Sequence, residues 1–139
     1  MRVYFIFDIK VEFINLYYGN EIILYNILKQ VYKLDEYELT YAYNIFNQII
    51  NKIDKTKLDR YLYIKLHQNI PYSKKNNIHI YNNLYKDEVS RLLVKRSYIK
   101  IECENKHSSF LEVLKNYNQS LFVCDFKNQD YFFLKDYNI

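Results

Sequence analysis

Few of the 139 residues have the type and spacing that catalysis or metal binding needs. Cys103 and His107 stand four apart in the stretch CENKHSS, near enough in sequence to suggest a thiolate and its base. Such a pair also needs a third group to orient the imidazole and a cleft to receive a substrate. The sequence signals neither, and a surface histidine at a helix start is the plainer reading. Cys103 and Cys124 are not in a CxxC pattern, and His67, His79 and His107 are dispersed, so no zinc-ligand spacing is present. Asp125 and Asp130 flank a short turn. Paired carboxylates can exchange protons with a substrate, but capping the turn is the usual role of carboxylates so placed. Gly19 is the sole glycine, which leaves almost no phosphate-cradling or nucleophile-elbow chemistry.

The remaining candidate is a binding surface. Phe13 and Tyr17 lie four residues apart in the run Val11 to Tyr18, so on a helix they share one face. An aromatic face on a short, early helix suits a grip on another protein, where a few rigid rings ringed by polar groups carry most of the binding. Ile14 and Tyr18 form a competing apolar face. One of the two faces packs inward, and if Phe13 and Tyr17 are on it they are core residues.

The elements that must position these residues follow from periodicity. Val3, Phe5, Phe7 and Ile9 alternate with Tyr4, Ile6 and Asp8, a pattern for a central strand covered on both sides. The first helix, Val11 to Tyr18, stops at Gly19, which can take the left-handed conformation that ends a helix. Asn20 can cap a second helix running to about Lys33. Leu34 and Asp35 form a break, and a third helix follows from Glu36 to about Ile53 with Leu39, Tyr43, Phe46, Ile49 and Ile53 at helical spacing. Leu58 to Leu66 alternates and favours a strand, although the same residues could close a helix. Asn69 to Asn77 holds the sole proline, Pro71, and reads as a loop. Ile78, Ile80 and Leu84 start a strand, and Val89 to Lys95 with Tyr98 to Glu104 form a hairpin around Arg96-Ser97. Ser109 and Glu112 match a capping box for another helix. Leu121 to Phe126 and Tyr131 to Leu134 are the last two strands. The order β-α-α-α-β-β-β-β-α-β-β predicts one α/β or α+β domain, a mixed sheet with helices packed on it.

Composition narrows the classes further. With 17 tyrosines, 9 phenylalanines and no tryptophan, the aromatic excess has an ordinary source in AT-rich codons, which does not explain where particular rings sit. A net charge of +4 is mild and well mixed, and the basic clusters Lys52 to Lys57 and Lys74-Lys75 are broken by acids or short, so they read as solvated faces rather than a nucleic-acid groove. The first ten residues carry Asp8 and Lys10, unlike a hydrophobic leader, and no run of about 18 apolar residues predicts a membrane span. Cys103 and Cys124 read as reduced, buried thiols of a cytosolic protein, with a disulfide only if their strands are neighbours.

The run YFIFDIKVEFINLYYGNE resembles the N-terminus of the SirA family, the sporulation inhibitors of replication of low-GC Gram-positive bacteria. The family's strand is followed by a Lys, an acidic-Phe pair and an aromatic pair ending in Gly, matched here by Lys10, Glu12-Phe13 and Tyr17-Tyr18-Gly19. The C-terminal run SFLEVLKNYNQSLFVCDFKNQDYFFL is similar to the family's helix, Asp-Phe strand and aromatic hairpin. The resemblance covers almost the whole chain, with its specific motifs at the two ends. It implies a small cytoplasmic inhibitor, without catalysis or cofactor, that binds domain I of the replication initiator DnaA and blocks new rounds of replication. It also implies a partner surface on the first helix and part of the third. Phe13 and Tyr17 match that surface directly, whereas Tyr43 and Phe46 fall where the family has a Gln and a Tyr. The family's proline-containing tail has no counterpart after Leu134. The element order also resembles the fold of GNAT-like acetyltransferases. The place matching their pyrophosphate turn, CENKHSS, has no glycine, and Glu104 there would repel a phosphate. These residues therefore argue against an acetyl-CoA site there, and the alternative reading is a small acyltransferase-like enzyme whose site is not legible in the sequence.

Overall fold

The alternating run at the N-terminus forms β1 (Arg2–Asp8), the centre of a seven-stranded sheet. The structure, a computed structural model, describes residues 1–33 and 39–137, with side chains for all of these except 33 and 39–43. After β1 come α1 (Val11–Tyr17), α2 (Glu21–Lys33), α3 (Leu39–Ile49) and α4 (Lys55–Leu66). Four strands follow, β2 (Tyr72–Lys75), β3 (Ile78–Asn83), β4 (Glu88–Val94) and β5 (Ile99–Cys103). Then α5 (Ser109–Lys115) leads to β6 (Leu121–Asp125) and β7 (Asp130–Phe133). The sheet order is β2-β3-β4-β5-β1-β6-β7.

The architecture is α+β, as the sequence predicts, but every strand pairing is antiparallel rather than mixed. The reason is where β1 inserts. The crossover from β5 through α5 to β6 joins two strands that run the same way, and β1 lies between them, antiparallel to both.

Three local expectations are corrected. Residues 58–66 are helical, not extended: Leu58, Leu62 and Leu66 sit at four-residue spacing and are buried, and Asp54 caps α4 by accepting the Lys57 amide at 3.1 Å. Tyr61, Tyr63 and Lys65, two residues apart, fall on different sides of that helix: Tyr61 packs against the first core while Tyr63 is exposed. The stretch read as a loop, 69–77, contains β2, which starts directly after Pro71 and pairs with β3. The helix expected to run to about Ile53 ends at Ile49, because Ile50 bridges to Ile9 and the Asn51 amide donates to the Asp8 carbonyl at 2.7 Å. The expected break at Leu34 and Asp35 lies outside the described residues.

The sheet separates two cores. Beneath α4 and α5, one face buries Tyr4, Ile6, Leu58, Leu62, Leu92, Ile101, Phe110 and Val123. The opposite face packs Phe7, Ile9, Ile14, Leu24, Leu28, Phe46, Phe122 and Phe133 with α1, α2 and α3. Each such side chain fully removed from water stabilises the fold by about 1.5–3 kcal/mol before entropy is counted. Cys103 belongs to the first core and Cys124 to the second, and both thiols are free.

Candidate functional site

α1 has only seven residues, too short to persist alone in water. Its neighbours hold it. At its start the Lys10 amide donates to the Ile49 carbonyl at 2.8 Å. In its middle Ile14, 9% exposed, packs into the second core. At its end Gly19 adopts φ +89°, and the Glu21 carboxylate accepts the Gly19 amide at 3.0 Å.

With Ile14 fixing the inward face, the competition between the two apolar faces resolves. Phe13 and Tyr17 are half-buried at the edge of the core, their rings stacked at 6.3 Å between centroids with 18° between planes. Part of each ring thus stays open to solvent. Tyr18 is more exposed and is held sideways: its hydroxyl donates to Asp136 at 3.0 Å, its ring meets Phe133, and Lys135 Nζ lies 4.5 Å from its centroid. This tie to the C-terminal segment has no local signal, because Tyr18 and Asp136 are 118 residues apart in the chain.

Phe46 is placed differently. It is 5% exposed and meets Phe7 edge-on at 5.7 Å between centroids, so it lies beneath the surface rather than on it. Tyr43 is in α3, but its side chain lies outside the described residues.

The residues that suggested chemistry serve structure. Cys103 is buried, and burial pushes its thiol up to about 11, away from the thiolate a nucleophile needs. His107 is exposed and faces Glu112 at 3.7 Å, so the two do not share a cleft. Asp125 caps its turn, accepting the Asn128 amide at 3.2 Å and its side chain at 2.7 Å, with Arg2 at 3.2 Å. The predicted capping box at Ser109 and Glu112 is shifted. Ser108 is the cap, accepting the Phe110 amide at 3.3 Å, while Ser109 donates from its amide (2.6 Å) and hydroxyl (2.7 Å) to the buried Glu88 carboxylate. That carboxylate occupies the start of α5, where the free amides of a helix N-terminus favour an anion.

One cleft of about 310 Å³ opens near Asp8, Asp54, Lys57 and Tyr117. Burial raises the Asp8 carboxyl, while Asn51 and Asn118 donate to it at 3.2 and 3.1 Å and oppose the shift. Among the described residues, no Ser, Cys or His lines this cleft to complete a nucleophilic pair. Another buried group is a chain of three: the Tyr72 hydroxyl and His79 Nδ1 at 2.8 Å, then His79 Nε2 and Asp59 at 2.7 Å. Desolvation lowers the His79 pKa against the pull of Asp59, so the ring is neutral, donating from Nε2 and accepting from Tyr72. Among the described residues, no group of His, Cys, Asp and Glu is arranged to hold a metal ion. No helix among them is long and apolar enough to cross a membrane.

Fold and site together define an α+β domain that presents a stacked aromatic pair on a short, tethered helix. The model of the family described as sporulation inhibitor of replication protein SirA matches residues 2–138, and the chain belongs to that family. Its role is accordingly that of a sporulation-linked inhibitor of replication. No curated protein sequence matches the chain.

Proposed function

We propose that the chain acts in the cytoplasm by docking on the N-terminal domain, domain I, of the initiator DnaA, and that it restrains replication by occupying that domain rather than by catalysis. The observation that carries this reading is the Phe13–Tyr17 stack, half-open on a helix whose other side is pinned by Ile14. Rings so placed are already ordered, so binding them costs little further side-chain entropy. Phe46 supports the surface from below, and Tyr43 enters the proposed contact through the family resemblance alone. Titration of purified DnaA domain I with the chain tests the reading. Saturable binding that weakens at least about tenfold on Phe13→Ala or Tyr17→Ala, equivalent to about 1.4 kcal/mol, is expected. Absence of binding by the folded wild-type chain would overturn it.

A further inference from the structure

The two faces of the sheet are covered unequally. α4 and α5 lie on one face, and the helices packed on the other sit over β1, β6 and β7. Among the described residues, no side chain of β2 to β5 belongs to that second core. The register shows what stands there. Lys75, Ile78, Leu93, Lys100 and Phe5 form one row across the ladders, and Ser73, Ile80, Arg91, Glu102 and Val3 form the next.

A sheet face left to water ordinarily carries polar residues. Here its middle is aliphatic: Ile78 is 38% exposed, with Ile80 and Leu93 partly exposed beside it. In these two rows three cations, Lys75, Arg91 and Lys100, stand with one acid, Glu102, which Lys100 meets at 3.3 Å, and Glu104 lies beyond them beside Val89. Lys75 and Arg91 make no ion pair among the described residues. At its inner end the surface stops at Phe5, on which Tyr32 of α2 rests at 5.1 Å between centroids. An apolar strip rimmed by cations and bounded by a wall has the make-up from which docking surfaces are built.

From this placement we propose that the open half of the sheet is a second docking surface, one that takes an acidic protein segment bearing aliphatic side chains. The charge selects that occupant. A second copy would bring its own Lys75, Arg91 and Lys100 against the same three cations. Strand addition at the β2 edge is also discouraged, since Lys74 and Lys75 stand on that edge strand. The segment therefore lies across the face, its aliphatic groups over Ile78, Ile80 and Leu93 and its carboxylates toward Arg91 and Lys75.

Fluorescence anisotropy with a labelled synthetic peptide alternating glutamate and leucine tests this, with the lysine–leucine peptide as its counterpart. The acidic peptide is expected to bind saturably and more weakly as salt rises. The double variant Lys75→Glu/Arg91→Glu should weaken it at least about tenfold, and Leu93→Ser should weaken it too, with the dispersed amide spectrum of a folded chain retained. Phe13→Ala and Tyr17→Ala should leave this binding unchanged, which separates the surface from the one on α1. Absent binding of the acidic peptide, equal binding of both peptides, or indifference to the double charge reversal overturns the proposal. So does dimerisation in sedimentation that the reversal abolishes, since the occupant is then a second copy.

Discussion

Phe13 and Ile14 are neighbours in the chain with unlike surroundings, the first half-buried and the second buried. Ile14 anchors α1 in the core, so Ile14→Ala should cost about 2–5 kcal/mol of folding free energy. Tyr17→Ala, half-exposed, should cost less than about 1.5 kcal/mol, and urea denaturation of the two variants measures the contrast. The buried His79 makes a separate prediction. Its folded pKa lies below the ordinary value of 6.5, so only the unfolded chain takes up this proton as pH falls through that value. Stability is full above about pH 6.5 and declines below it, by up to about 1.4 kcal/mol per pH unit for this one group. Unfolding free energies at about pH 7.5 and about pH 5.5 should show that fall, and His79→Phe should reduce the slope. The spacing of Phe13 and Tyr17 made their shared face legible, since four residues is a local geometric relation. The chain Tyr72–His79–Asp59 was not legible, because α4, β2 and β3 each contribute one member and only tertiary structure brings them together.

At the scale of elements, helix ends carry the testable energetics. Glu88 reaches from β4 to satisfy both the amide and the hydroxyl of Ser109. Glu88→Ala should destabilise the chain by about 1–3 kcal/mol by orphaning those donors, with hydrogen exchange of α5 amides accelerating most. At Gly19 an added Cβ would meet nothing within 4 Å, yet φ is +89°. Gly19→Ala should therefore cost about 1–2 kcal/mol through backbone strain alone, visible as a lowered thermal midpoint. Most elements were readable from periodicity. α4 was an exception, since the two-residue alternation of Tyr61, Tyr63 and Lys65 reads as a strand and masks the Leu58–Leu62–Leu66 spacing. The short β2 was hidden by polar residues, and its pairing with β3 rather than its own pattern makes it a strand.

At the scale of the whole molecule, β1 explains both the antiparallel sheet and the separation of the two cysteines. β1 keeps β5 and β6 apart, and Cys103 and Cys124 point to opposite faces into different cores, so they cannot be bridged. The sequence left that question open, since it shows strands but not their order in space. The same division places α1, with its aromatic pair, and the open half of the sheet on one side of the molecule. The central claim, that α1 is the grip on the replication initiator, is tested most directly by mapping the amide resonances of the labelled chain during titration with DnaA domain I. The largest changes are expected on residues 11–19, around Phe13 and Tyr17. Saturable binding that leaves those amides unmoved while others shift would contradict it.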